Sequence, residues 1–213
     1  MYIQITTRCN MSCEHCGMNC TNQGEDMTPK TFENALEYAD GYFSIGGGEP
    51  TIHPLFWRFL GLAIAHAEET IWLATNGSVT DTAIALAKMA RKGVISCALS
   101  QDSYHDPIDD RVIRAFTEGK KQTHSYSDAK DSYDFREIRN VEDALINAGR
   151  CDFGEDGCVC EDIIVKPNGD VVGCGCDCAP CFGNVNSTVC IPNDWDWCGC
   201  SRNQVRPEEL RVA

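Results

Sequence analysis

No stretch of the 213 residues approaches the ~20 consecutive apolar residues that a membrane-spanning helix needs, so no such helix is expected. The opening MYIQITTRC lacks the basic n-region and apolar h-region of a secretory signal, which points to a cytoplasmic, reducing location. Positive charge is scarce: 18 Lys and Arg stand against 32 Asp and Glu, for a net charge of −14. Duplex nucleic acid is held by clustered Lys and Arg, so an extended nucleic-acid surface is disfavoured. A single nucleotide or modified base stays open as a substrate. The remaining composition, 43% hydrophobic and 23% charged, is that of an ordinary soluble protein with room for one core and an appendage.

Cysteine, by contrast, is abundant, with 15 residues. So many thiols without a secretion signal favour metal ligation over a disulfide framework, and an odd number fits the same reading. Their placement is uneven. Cys9, Cys13, Cys16 and Cys20 fall within TTRCNMSCEHCGMNC, Cys97 stands alone, and ten lie in residues 151–213. Charge does not follow that division: residues 1–150 hold 14 basic and 21 acidic side chains and residues 151–213 hold 4 and 11, −7 in each part. Cysteine density therefore sets the boundary near Arg150, between a first domain (1–150) and an auxiliary region (151–213).

Within the first domain, period-2 and period-3.6 segments alternate. Strands are expected at 2–6, 42–45, 70–75 and 94–100. Helices are expected after each: TPKTFENALEYADG with Thr28 as N-cap and Pro29 at the first position, then PLFWRFLGLAIAHA, DTAIALAKMARKG and DPIDDRVIRAFTEG. REIRN (136–140) and VEDALINAGR (141–150) read as a fifth strand and helix. Such alternation implies parallel βαβ units, whose chemistry gathers at the C-terminal ends of the strands. That is where the unusual residues fall: the cysteine loop, GGGEP, TNG and SQDSYHD.

The CxxxCxxC spacing of CNMSCEHC, followed in order by GGGEP, TNG and SxD, resembles the radical S-adenosylmethionine (SAM) superfamily over about residues 2–106. The resemblance implies a partial (β/α)5-6 TIM-like barrel in which Cys9, Cys13 and Cys16 hold a 4Fe–4S cluster. A cubane normally takes one cysteine per iron, so three thiols leave one coordination position open for a cofactor. By the resemblance, SAM chelates that iron, and its reductive cleavage gives a 5′-deoxyadenosyl radical that abstracts hydrogen from a substrate. It further implies an oxygen-sensitive enzyme served by a flavodoxin- or ferredoxin-type reductant. The alternative, a zinc knuckle completed by His15 or Cys20, explains none of the downstream motifs. For SAM, the resemblance implies backbone approach at Gly46, Gly47 and Gly48 and an ammonium contact at Glu49. It also implies ribose and carboxylate contacts at Asn76, Ser100 and Asp102, and His15 near the adenine. Cys97 lies three positions before Ser100, so strand alternation turns it away from the pocket as a small core residue. Cys20 is left without a role.

Residues 120–135 read either as a surface loop or as a lid over substrate. Beyond Arg150, IIVKPNGDVVG reads as a hairpin turning at Pro-Asn-Gly-Asp. Cys158, ten residues, Gly169, four residues, Cys174 and then FGNV resemble the SPASM or twitch appendages that carry auxiliary clusters. The candidate ligands are Cys158, Cys160, Cys174, Cys176, Cys178, Cys181, Cys190, Cys198 and Cys200, for one or two auxiliary 4Fe–4S clusters. The gap of eight residues after Cys181 departs from the full SPASM pattern. Structural zinc is the alternative. Three functions follow as expectations: modification of a peptide or protein side chain; rearrangement or epimerisation of a small molecule or modified nucleotide; and a non-catalytic Fe–S electron carrier.

Overall fold

The computed structural model describes residues 1–120, 134–140, 145–155, 162–175 and 179–192. Strand and helix alternate from the start: β1 (Tyr2–Thr6), α1 (Pro29–Ala39), β2 (Ser44–Gly47), α2 (Phe56–His66), β3 (Trp72–Thr75), α3 (Thr80–Arg91), β4 (Ser96–Ser100), α4 (Asp110–Thr117) and β5 (Arg136–Arg139). Three short strands follow, β6 (Ile164–Val165), β7 (Asp170–Val172) and β8 (Cys181–Asn184). One sheet is ordered β2-β1-β6-β7-β8 and the other β3-β4-β5. β1 runs parallel to both β2 and β6, and β3, β4 and β5 are mutually parallel. β2 and β3 lie side by side, so the parallel strands form a curved wall of β6-β1-β2 continued by β3-β4-β5. This is the mixed α/β fold with parallel strands that the alternation implies.

Helix α1 shows why the local code is legible. Thr28 accepts the Thr31 N–H at 3.2 Å and Pro29 opens the first turn. Phe32, Ala35, Leu36 and Ala39 recur at helical spacing and are buried. Phe32 stacks on Phe59 of α2 with ring centroids 4.1 Å apart. Ile3, Ile5, Ile45, Leu73, Cys97 and Leu99 bring the strands into the same core. Cys97 is fully buried there, as its position in β4 predicts.

Two expectations shift. β2 starts at Ser44 and runs into the glycines, because Ser44 and Ile45 pair with Tyr2 and Ile3 of β1. The expected helix at 141–150 is not helical in its described part, residues 145–150. There Ile146 bridges to Glu155, the Asn147 N–H bonds to the Glu155 carbonyl at 2.8 Å, and Gly149 takes a left-handed φ of +59°. Tertiary pairing overrides a weak helical pattern at that point. The lid candidate lies almost wholly outside the described residues.

Beyond Arg150, the Gly169 N–H bonds to the Lys166 carbonyl at 2.8 Å, and β6 pairs antiparallel with β7. The first of these strands has a second partner. β6 adds a parallel strand to β1, and Val165 and Val171 join the main core, so these strands are built onto the first sheet. Among the described residues, no helix is long and apolar enough to cross a membrane.

Candidate active site

A cavity of about 420 Å³ opens at the C-terminal ends of the strands. Its lining includes Cys9, Cys13, His15 and Cys16 from the loop after β1, Gly47, Gly48 and Glu49 after β2, Asn76 after β3, and Ser100 and Asp102 after β4. Nearly every residue assigned from sequence to the cluster or to SAM thus meets in one place, contributed by four separate strand ends. Gly46 alone is not part of the wall.

The cysteine loop is held from outside. The Cys9 N–H bonds to the Thr21 carbonyl at 2.8 Å, and the Arg150 N–H bonds to the Cys16 carbonyl at 3.1 Å. Burial pushes the Cys13 thiol up to about 11, with the neighbouring Cys9 and Cys16 charges adding to the effect. Burial also raises Cys9. Cys16 goes the other way, to about 5, because the Cys20 side chain hydrogen-bonds to it and the Arg150 charge assists. Three thiolates so placed oppose one another, and bound metal removes that conflict. Among the described residues, His15, Asp102 and His105 form the one group of three potential ligand atoms within 4.8 Å of one another.

The three glycines have a reason of their own. A Cβ on Gly47 would lie 2.2 Å from the Thr6 carbonyl oxygen, and one on Gly48 would lie 2.2 Å from that of Arg8. A Cβ on Gly46 would meet the Tyr2 hydroxyl at 2.2 Å. What demands glycine here is the close passage of β1 and the start of the cysteine loop. Gly47, with φ of +150°, also occupies backbone space that side chains rarely enter.

Glu49 is fully buried and works as a knot. One carboxylate oxygen accepts from the Thr51 N–H at 3.1 Å, the Thr51 hydroxyl and the Thr75 hydroxyl at 2.8 Å. The other accepts the Asn76 N–H at 2.6 Å. Burial raises its pKa against the pull of these donors. The knot ties the β2 exit to the β3 exit and aims Asn76, whose amide donates to Asn10 at 3.2 Å and sits 3.9 Å from the Cys9 sulfur.

At the β4 exit, the Asp102 Oδ1 accepts from the Tyr104 N–H at 3.0 Å and pairs with His105 Nδ1 at 2.7 Å. Burial works to raise Asp102, but the His105 bond and the Tyr104 N–H outweigh it and hold the carboxyl below its usual range. Burial lowers His15. The His15 ring lies 4.9 Å from Tyr104 and 5.1 Å from His105. Asp102 Oδ2 and His15 Nδ1 are the buried side-chain polar atoms without a hydrogen-bond partner among the described residues. Buried polar atoms are ordinarily paired, and both belong to cavity-lining residues. Asp102 Oδ2 lies 3.8 Å from His15 Nε2, and a polar ligand with donors and acceptors, as SAM is, fits these two atoms.

Sequence reasoning missed Arg150, Arg139 and His105, all of which line the cavity. His105 follows Asp102 by three residues, the one local signal available. Arg150 was read as the end of a helix, and only the tertiary fold returns it to the cysteine loop. Of the candidate auxiliary ligands, Cys174 is buried and Cys181 and Cys190 are exposed. Cys158, Cys160, Cys176, Cys178, Cys198 and Cys200 lie outside the described residues.

The Radical SAM superfamily description matches residues 3–135. The mycofactocin maturase MftC of Mycobacterium ulcerans (strain Agy99) is 29% identical over 118 residues, 51% of this chain and 30% of that protein. MftC of Mycolicibacterium smegmatis is 30% identical over 114 residues, again 51% of this chain and 29% of its own length. The match therefore spans under a third of these curated relatives. Among solved structures, Streptococcus suis SuiB bound to S-adenosylmethionine is similar in fold, with a TM-score of 0.50 and 16% identity over 89% of this chain and 62% of that one.

Proposed function

The chain belongs to the radical SAM superfamily, and on that premise we propose that it abstracts hydrogen from a peptide or protein side chain. Membership makes it an enzyme with a 4Fe–4S cluster and SAM as cofactors, which sets aside the electron-carrier reading. When bound, these cofactors supply a 5′-deoxyadenosyl radical. The single observation that carries the reading is the meeting of Cys9, Cys13 and Cys16 with Asp102 and His15, whose Oδ2 and Nδ1 accept or donate no hydrogen bond among the described residues, around one cavity.

Each residue then has a task. Cys9, Cys13 and Cys16 would hold the cluster. Glu49 fixes the β2 and β3 exits and would serve the methionine end of SAM. Asn76 and Ser100 would contact SAM from the β3 and β4 exits. Asp102, oriented by His105 and the Tyr104 N–H, would accept hydrogen bonds from the ribose hydroxyls, and His15 would pack near the base. Buried Glu49, Thr75 and Asn76 form one face of the cavity.

A peptide substrate is supported by the printed name of the curated relatives, maturases, to which the chain is similar over half its length. Nine cysteines of residues 158–200 (Cys158, Cys160, Cys174, Cys176, Cys178, Cys181, Cys190, Cys198 and Cys200) are assigned to one or two auxiliary clusters, and a flavodoxin- or ferredoxin-type protein to electron supply. The test is direct. Anaerobically reconstituted protein with SAM and dithionite should release 5′-deoxyadenosine, and Cys13→Ala should release none. A peptide that accelerates release and itself changes mass supports the substrate class. Acceleration by nucleosides or other small molecules alone would overturn it in favour of rearrangement or epimerisation.

A further inference from the structure

Arg150 lies 130 residues beyond the last cysteine of the loop yet supplies three of that loop's hydrogen bonds. Its Nη1 donates to the Cys20 carbonyl at 2.6 Å and its Nε to the Cys13 carbonyl at 3.3 Å. Its backbone N–H donates to the Cys16 carbonyl at 3.1 Å. Gly149 makes the approach possible: at φ of +59°, a Cβ there would lie 2.5 Å from the Cys16 carbonyl oxygen and 2.7 Å from that of Gly17. The neighbouring backbone is itself anchored, by the bridge between Ile146 and Glu155 and by the Cys151 N–H to the Ala148 carbonyl at 3.0 Å. A guanidinium is permanently charged and forked, so it can hold two carbonyls at once and keep a positive charge beside the thiolates.

We infer that Arg150, admitted by Gly149, is a positioning residue that braces the cysteine loop in its cluster-holding shape and sets the reduction potential of the cluster it holds. The inference rests on the assignment of Cys9, Cys13 and Cys16 as the cluster ligands. Reduction adds negative charge to a site already carrying three thiolates. A fixed cation at the loop stabilises the reduced form more than the oxidised form and so raises the potential. The brace comes from the boundary between the two cysteine-rich regions, so whatever displaces residues 145–155 also loosens the cluster loop.

The experiment compares reconstituted wild type with Arg150→Met and Arg150→Lys by redox titration, following the EPR signal that changes when SAM is added. The rate of iron loss to a chelator is the second readout. Arg150→Met should shift the midpoint to more negative potential, with the reduced-to-oxidised ratio at fixed potential falling about tenfold, ~59 mV for one electron. Arg150→Lys should restore most of the potential but not the chelator resistance, because an ammonium keeps the charge and loses the fork. Should Arg150→Met take up no iron while its apoprotein keeps the wild-type circular dichroism, the bracing role is supported, and Arg150→Lys with Gly149→Ala then carries the titration. Wild-type potential together with wild-type iron retention in Arg150→Met would overturn the inference. Failure of the underlying assignment looks different: the SAM-responsive signal would be missing from the wild type, or would survive in Cys13→Ala.

Discussion

Between Cys9 and Cys20 local bonds, such as the Met11 N–H to the Cys9 sulfur and the Cys20 N–H to the Cys16 sulfur, are joined by distant ones: Asn76 from the β3 exit beside the Cys9 sulfur, and Arg150 from the far end of the first domain on the loop's backbone carbonyls. Around Cys174, Cys181 and Cys190 the support is local. Val172 of β7 is paired with Cys181 of β8, the Gly173 N–H reaches the Pro180 carbonyl at 3.2 Å, and the Cys190 N–H reaches the Phe182 carbonyl at 2.8 Å. The β6–β7–β8 ladder beside these thiols is docked by β6 on β1, and Asn186 meets Asn34 of α1 at 3.0 Å. The first loop is thus shaped by the whole fold, and the described part of the second region by its own ladder. A site that must keep one metal position open toward a second cofactor needs the first kind of support, because its geometry cannot be closed by a fourth ligand.

The contrast is broken most severely by removing ligands. Cys9/Cys13/Cys16→Ala should lose all 5′-deoxyadenosine formation while retaining iron in the C-terminal region, roughly four per auxiliary cluster. Iron analysis and product quantification check both halves. A triple variant that binds no iron at all would remove the auxiliary assignment.

Next comes the knot that joins two strand exits. Glu49→Gln places an amide N–H against the Asn76 N–H and should cost about 1.5–3 kcal/mol in urea denaturation of the apoprotein. The cost should depend on pH. Burial raises the Glu49 pKa in the folded chain, so the folded state binds the proton more tightly than the unfolded state does. That contribution is full at low pH and is lost as pH rises through the folded pKa. The gap between wild type and Glu49→Gln should therefore be wider at pH 5 than at pH 8, and an unchanged gap would show that burial does not govern this carboxyl.

Much of this was readable beforehand, for reasons that differ by residue. Thr28, Pro29 and the spacing of Phe32, Ala35 and Leu36 encode α1 locally, and the strand-end motifs encode the cavity because parallel βα units deliver their exits to one side. Gly46–Gly48 were legible as special, but one cause was not: the Tyr2 hydroxyl and the Thr6 and Arg8 carbonyls that crowd a Cβ come from β1 and the start of the cysteine loop, some forty residues earlier. Residues 145–150 failed as a helix because their backbone partners, Glu155 and the Cys16 carbonyl, lie outside any local window. Arg150 was invisible for the same reason.

A smaller effect is expected at Gly48. Its missing Cβ would fall 2.2 Å from the Arg8 carbonyl oxygen, so Gly48→Ala should force backbone movement at a cost of about 1–3 kcal/mol and faster iron loss. The smallest effects belong to the locally supported region. Cys181 and Cys190 are exposed, so Cys181→Ala and Cys190→Ala should change the stability of the metal-free chain by no more than about 0.5 kcal/mol. A large loss in either would show that these thiols are tied into the fold without metal.

The central claim is that the loop between Cys9 and Cys16 holds the cluster to which SAM binds. EPR of the dithionite-reduced protein, recorded with and without SAM for the wild type and for Cys9/Cys13/Cys16→Ala, tests it most directly. The account predicts a wild-type signal that changes on adding SAM and a triple variant with no SAM-responsive signal. A SAM-responsive signal that persists without those three thiols would contradict it.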